Sequence, residues 1–297
     1  MSSWEGKTRG GLTGYRIFVY ILKTFGIRPA YILLRYVAAY FLLFSRESNK
    51  HTRYYFRNIL GYSWWKSTIC IYRNYCKLGQ VLIDTVAVLS GLGKRFTFHW
   101  DGEEHLRNMN EGGLLVSAHI GSWEIAGNFL TRLDKRFNIV MYDEEHQKIK
   151  SYLDEVMTEK NLHVIPLKDD MSHLLAIKNA LENKELIAIH ADRFMQGSKT
   201  IRHTFLGKEA LFPEGPFYLA ARFNAPVSFV FAVKETGRHY HFFASPARRY
   251  EVKSKRSIKE EELSPMIKDY ICRMEEMLQK YPLQWFNYHK FWEADPE

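Results

Sequence analysis

The chain is expected to adopt an α/β fold in which helices flank a mixed, mainly parallel central sheet, with membrane-associated helices at the N-terminus. Three observations carry this. From residue 95 onward, short apolar runs alternate with helical stretches, the rhythm of strands joined by crossover helices. Residues 1–92 lack that rhythm and read as helix throughout. A chain of 297 residues, 46% hydrophobic, is also long enough to bury a sizeable core. The division expected is therefore a helical membrane-associated region over 1–92 and an α/β domain over 93–297.

Taken in order, "YRIFVYILKTFGIRPAYILLRYVAAYFLLFS" (15–45) is strongly apolar, but Lys23, Arg28 and Arg35 interrupt it and Pro29 breaks it. No uninterrupted stretch reaches the roughly 20 residues a spanning helix needs. Two helices lying in a bilayer interface, with their cations snorkelling, fit this pattern. A buried helical hairpin and a tilted span over 29–45 are the alternatives. Residues 48–90 continue at three- and four-residue apolar spacing and end at Gly91. "RFTFHWDG" (95–102) then alternates as a strand, and strand-like runs follow at 113–118, 138–142, 162–167 and 186–191. "APVSFVFAVKE" and "RHYHFFASPARR" flank a Thr-Gly-Arg turn and read as a hairpin closing the sheet. Residues 258–280 form a charged amphipathic helix, and the aromatic tail "YPLQWFNYHKFW" (281–292) is expected to dock on the body.

Composition narrows the partners. A net charge of +9 favours polyanions, whether nucleic acid, anionic lipid or an acidic carrier protein. Basic residues are interspersed with acids and no basic-aromatic recognition motif appears, which argues against nucleic acid. The 15% aromatic content suits a boundary between water and lipid. Three scattered cysteines, Cys70, Cys76 and Cys272, make neither a disulfide framework nor a zinc motif, and no metal is expected.

The chemistry concentrates in "LLVSAHIGSWEIAG" (114–127). A buried strand there delivers His119 to the carboxyl rim of a parallel sheet, where ligands of such folds bind. Gly121 permits a sharp turn, Ser122 suits a helix N-cap, and Glu124 falls in the first helical turn. Five residues along one continuous helix diverge by roughly 140°, but a strand-turn-helix corner can return the imidazole to the carboxylate. On residues alone, His119 is a base oriented by Glu124 or a satisfied structural histidine. No Gly-x-Ser-x-Gly elbow surrounds Ser122, so it is not read as a hydrolase nucleophile.

His-x4-Glu in "SAHIGSWE" resembles the His-x4-Asp/Glu motif of the glycerolipid (lysophospholipid) acyltransferase superfamily, and more closely that of the late acyltransferases of bacterial lipid A biosynthesis. His119, Gly121, Trp123 and Glu124 match, whereas Ala118 and Ser122 stand where that family usually has asparagines. "ADR" at 191–193, "FLGKEALFPEGPFYLAARFNAPV" and "YPLQWFNYHKFW" extend the likeness, in the family's order, over about residues 95–292.

The resemblance implies a glycerol-3-phosphate acyltransferase-like fold and acyl transfer from an acyl carrier protein or CoA thioester to a hydroxyl or amine, without an acyl-enzyme and without a further cofactor. His119 would be the general base and Glu124 would stabilise its imidazolium. Backbone N–H groups near Ser122 and Trp123 and the Arg193 side chain are the expected oxyanion donors, with Asp192 beside them in a structural or catalytic role.

"FPEG" (212–215) imitates a phosphate-binding box but is followed by Pro216-Phe217 and lacks its arginine, so Glu214 reads as a cap or dipole partner. Where lipid A acyltransferases tend to be basic, "NIVMYDEEHQ" carries Asp143, Glu144 and Glu145, which would repel phosphate. The expected acceptor is thus a lipid-like molecule less anionic than a lipid A precursor. A lipid A acceptor is the alternative, and a non-catalytic membrane-associated binding protein is the reading of another class. The expected location is the cytoplasmic face of a bacterial inner membrane, peripheral or monotopic, held on an anionic surface.

Overall fold

A computed structural model describes residues 20–21, 24–89, 93, 96–122, 125, 135–142, 162–167, 172–195, 197–254, 257–293 and 295. Trp123, Glu124 and the acidic run 143–147 lie outside the described residues, as do the first residues of the apolar N-terminal stretch.

Helix α1 (Ile27–Phe44) opens after Gly26, whose φ of 82° turns the chain into it. Pro29 does not break this helix. It stands in the first turn, where a missing N–H costs no hydrogen bond. Ile27, Ala30, Leu34 and Ala38 bury one stripe, while Ile32, Tyr36, Tyr40, Leu43 and Phe44 stay exposed on the rest of the surface. Among the described residues this is the one helix long and apolar enough to cross a membrane.

The stretch read as one helix over 48–90 is in fact divided. Helix α2 (Arg46–Tyr54) runs into a π-turn at Tyr55–Ile59, and α3 (Trp64–Leu89) begins after a break at Gly61, φ +68°. Gly79 of α3 lies against Leu34 of α1, so close that an added Cβ would fall 2.1 Å from Leu34 Cδ1.

The expected strands then appear in order: β1 (Thr97–Asp101), short helix α4 (Glu103–Arg107), β2 (Gly113–Ser117), β3 (Phe137–Tyr142) and β4 (Leu162–Leu167). Helix α5 (Ser172–Glu182) leads to β5 (Leu186–His190). A small antiparallel pair, β6 (Thr200–Phe205) and β7 (Lys208–Pro213), precedes helix α6 (Gly215–Phe223), and β8 (Val227–Thr236), β9 (His239–Ala244) and α7 (Glu260–Lys280) complete the chain before its tail. Glu214 occupies the N-cap of α6 but makes no side-chain capping bond there.

Seven strands form one sheet in the order β1-β9-β8-β2-β5-β3-β4. The stretch from β8 to β4 is parallel throughout, and β9 alone pairs antiparallel, with β8. The β8–β9 hairpin forms as expected but does not close the sheet, because β1 adds parallel to β9 and becomes the edge. The helical and sheet parts share one hydrophobic core, in which Ala38, Tyr55, Phe56 and Tyr75 join Leu114, Phe229, Trp285 and Trp292.

Candidate active site

Strands β2 and β5 run parallel with Ser117 opposite His190, so both release their chains at the same carboxyl rim. Beyond β2 the backbone doubles back at His119, where Ile120 N–H reaches the Ala118 carbonyl at 2.7 Å, a γ-turn centred on the histidine. Gly121 follows at φ +76°, packed so tightly on β8 that a Cβ would sit 1.8 Å from the Ala232 carbonyl oxygen. No side chain fits there. This turn, rather than helix periodicity, aims the imidazole.

Beyond β5 the chain places Asp192, whose side chain is fully buried, against His119, whose side chain is 20% exposed. His119 Nδ1 lies 2.7 Å from Asp192 Oδ1, and the His119 backbone N–H donates to Oδ2 at 2.9 Å. Trp285 Nε1–H donates to the same Oδ2 at 3.1 Å. Burial alone would raise the Asp192 pKa. His119, Arg193 and His190 outweigh it and hold this carboxyl far below the usual carboxylate range. An ionised Asp192 fixes the imidazole with Nδ1 as donor, leaving Nε2 to carry the lone pair.

His190, the last residue of β5, packs its ring 4.3 Å from that of His119. Burial, then the neighbouring His119, push its pKa down to about 3, so it is neutral near pH 7 and adds no positive charge beside His119. His119, His190 and Asp192 bring ligand atoms within 4.8 Å of one another, a set able to hold a metal. The Asp192 oxygens, however, are engaged by three nitrogens, the pattern of a hydrogen-bonded carboxylate–histidine pair.

The tail builds the other wall. Gly121 N–H donates to the Gln284 carbonyl and Phe286 N–H to the His119 carbonyl, both at 2.9 Å, stitching residues 284–286 across the His119 turn. The Gln284 side chain binds the Lys234 backbone twice, at 2.8 and 2.9 Å. Arg193 Nη2 donates to the Phe286 carbonyl at 2.6 Å. Tyr270 of α7 donates to the Ser117 carbonyl at 3.0 Å.

Of the residues singled out from sequence, the structure thus joins His119, Asp192 and Arg193. Ser122 Oγ accepts from Ile125 N–H at 3.3 Å, and the helix it was expected to cap lies, Ile125 apart, outside the described residues. The Ser122 N–H donates to the Ala232 carbonyl at 2.7 Å, which corrects the expectation that this group faces an oxyanion. Glu124 and Trp123 lie outside the described residues. Sequence reasoning missed His190 and the roles of Gln284 and Trp285. The one available signal was a histidine ending the run "LIAIHA", two residues before Asp192.

Comparison with known proteins gives a family and a weakly similar solved structure. The family described as bacterial lipid A biosynthesis acyltransferase matches residues 11–294. Among solved structures, the 1-acyl-sn-glycerophosphate (LPA) acyltransferase PlsC from Thermotoga maritima is similar at 14% identity and a TM-score of 0.40, over 79% of this chain and 97% of that one. No curated protein matches.

Proposed function

Because this chain belongs to the bacterial lipid A biosynthesis acyltransferase family and is an acyltransferase, we propose that it moves a fatty acyl group from an acyl carrier protein or CoA thioester directly to a hydroxyl or amine of a lipid-like acceptor, with His119 as the base. The observation carrying this reading is the 2.7 Å contact of His119 Nδ1 with Asp192, at a turn that leaves the imidazole partly open to solvent. Nε2 takes the acceptor's proton as its oxygen or nitrogen attacks the thioester carbonyl. The tetrahedral oxyanion then collapses, the C–S bond breaks, and the leaving thiolate recovers the proton from the imidazolium. Asp192 holds the tautomer and stabilises the imidazolium. The reaction balances with the two substrates alone, so the thioester is a co-substrate and no further cofactor enters.

Glu124 completes the His-x4-Glu motif and is assigned a second carboxylate role near the imidazolium. Oxyanion donors are assigned to the Trp123 N–H and to Arg193, whose Nη2 also ties down the tail. The acceptor is assigned as a lipid less anionic than a phosphorylated disaccharide, on account of Asp143, Glu144 and Glu145. A lipid A precursor is the second reading, favoured by the family match over 11–294. The +9 chain is placed on an anionic membrane surface through residues 1–92, at the cytoplasmic face of the inner membrane.

Purified enzyme supplied with acyl carrier protein thioester tests these assignments. His119→Ala should lower kcat at least ~100-fold, with no acylated protein detected in a single turnover. An active His119→Ala enzyme sinks the mechanism, and efficient turnover of a phosphorylated disaccharide lipid decides for the second acceptor.

A further inference from the structure

Far along the sheet from His119 in strand order, β1 and β9 carry a second histidine–carboxylate cluster on the face opposite their buried aromatics. Phe98 and Trp100 of β1 stack on Tyr240 and Phe242 of β9. Strand alternation therefore turns His99, Asp101 and His241 to the other side. His99 and His241 are register partners, with ring centroids 4.6 Å apart. Asp101 reaches both: Oδ1 lies 3.3 Å from His99 Nε2 and Oδ2 lies 3.0 Å from His241 Nε2.

We propose that His99, Asp101 and His241 form a binding site for a divalent transition metal ion of the Zn2+ type, joining the edge strand β1 to β9.

Donor chemistry supports the choice of ion. Two imidazoles and one carboxylate suit Zn2+ and its first-row neighbours, whereas Ca2+ and Mg2+ prefer oxygen alone. The three ligand atoms lie within 4.8 Å of one another. With metal–nitrogen and metal–oxygen bonds of about 2.0–2.2 Å, ligands of one ion stand about 3 Å or more apart, neither on the other's lone-pair axis.

His241 fits that description. Its Nε2 is buried and makes no hydrogen bond among the described residues, although a carboxylate oxygen is only 3.0 Å away. Its other nitrogen, Nδ1, is 3.1 Å from Glu235 Oε1, which also accepts from the Tyr281 hydroxyl at 2.6 Å. A carboxylate behind a ligating histidine fixes the tautomer that bares Nε2. Two lone-pair-bearing groups then converge, and a cation between them relieves the repulsion. His99 and Asp101 have more than half their side-chain surface in solvent, which gives the ion an entry path and room for water as remaining ligands.

The experiment strips the full-length protein with a chelator, then titrates it with Zn2+ and with Co2+ as a spectroscopic probe. The expectation is one tight equivalent, a Co2+ ligand-field band, and a thermal midpoint raised by Zn2+. His99→Ala and His241→Gln should each weaken binding more than 10-fold, and Glu235→Gln by about 10-fold. His99 is exposed, so His99→Ala should fold and keep acyl transfer. His99→Cys should retain Co2+ and add a thiolate charge-transfer band. Absence of a stoichiometric ion, or binding that survives His99→Ala and disappears in His119→Ala, overturns the assignment.

Discussion

Asp192 receives three nitrogens on two oxygens while fully buried, an arrangement that holds the charge on the carboxylate and the proton on His119 Nδ1. An amide at 192 would let the ring flip its tautomer. Asp192→Asn is expected to cut kcat by roughly 10^3–10^4-fold while KM moves little, a split that a merely structural lesion would not give. Trp285→Phe removes one donor to Oδ2 and should have a smaller effect of the same kind.

His190 gives a pH signature. Its folded pKa of about 3 lies below the ordinary histidine value near 6.5, so the unfolded chain binds the proton first. Its contribution to stability is complete above about pH 6.5 and is lost as pH falls toward 3, with a slope of up to ~1.4 kcal/mol per pH unit. Denaturant titrations across that window should show the slope, and His190→Gln should flatten it. Gly121→Ala forces a Cβ into a backbone carbonyl and should destabilise the fold by about 2 kcal/mol or more, read as a lower melting point. At this scale the motif made His119 legible. Asp192 was legible only as a neighbour, since nothing in a sequence separation of 73 residues says which carboxylate meets Nδ1.

Two helices show how an element is fixed by its neighbour. Where α1 crosses α3, Gly79 admits Leu34, and this close approach decides the sign of a substitution. In the native background Gly79→Ala should lose about 1 kcal/mol or more, because overpacking exceeds the gain in helix propensity. With Leu34→Ala already present, the same change should stabilise by up to ~1 kcal/mol. Additive effects in that double-mutant cycle would refute the contact.

A buried cluster ties the same helices to the sheet. Asp84 of α3 pairs with Lys234 of β8 and accepts from Tyr31 of α1, and it also accepts from Tyr240 of β9 at 2.6 Å. Such a pair, taken out of water, positions elements more than it stabilises them. Strands 113–118, 138–142 and 186–191 were readable as apolar runs, as parallel strands inside a sheet should be, whereas 162–167 is the sheet's other edge, with His163 exposed and Ile165 buried. β6 and β7 were not, because Arg202, His203 and Thr204 are ordinary surface residues whose pairing is set by the Leu206–Gly207 turn. The division of α2 from α3 likewise rests on one left-handed glycine within an otherwise helical pattern.

On the scale of the whole molecule, the outer surface of α1 presents Tyr36, Tyr40 and Phe44 at four-residue spacing, all more than half exposed. Replacing the three with serine should weaken sedimentation with anionic vesicles at least ~10-fold while leaving turnover of a detergent-dispersed substrate intact. Unchanged vesicle binding would remove this helix from the membrane contact. The aromatic tail was expected to dock, and Trp285 and Trp292 are indeed core residues, yet the bonds by which it donates to Asp192 and accepts from Arg193 join residues 93 apart in sequence.

The sequence by itself determined the alternation of strands and helices, the histidine at a strand end and the family to which it belongs, because periodicity and short motifs are local properties of the chain. Only the tertiary structure decided that Asp192 orients His119, that His190 sits neutral beside it, and that His99 and His241 meet across β1 and β9. Those groups are brought together by sheet order and by turns such as Gly121, where the space left by neighbouring strands, and no local preference, selects the geometry.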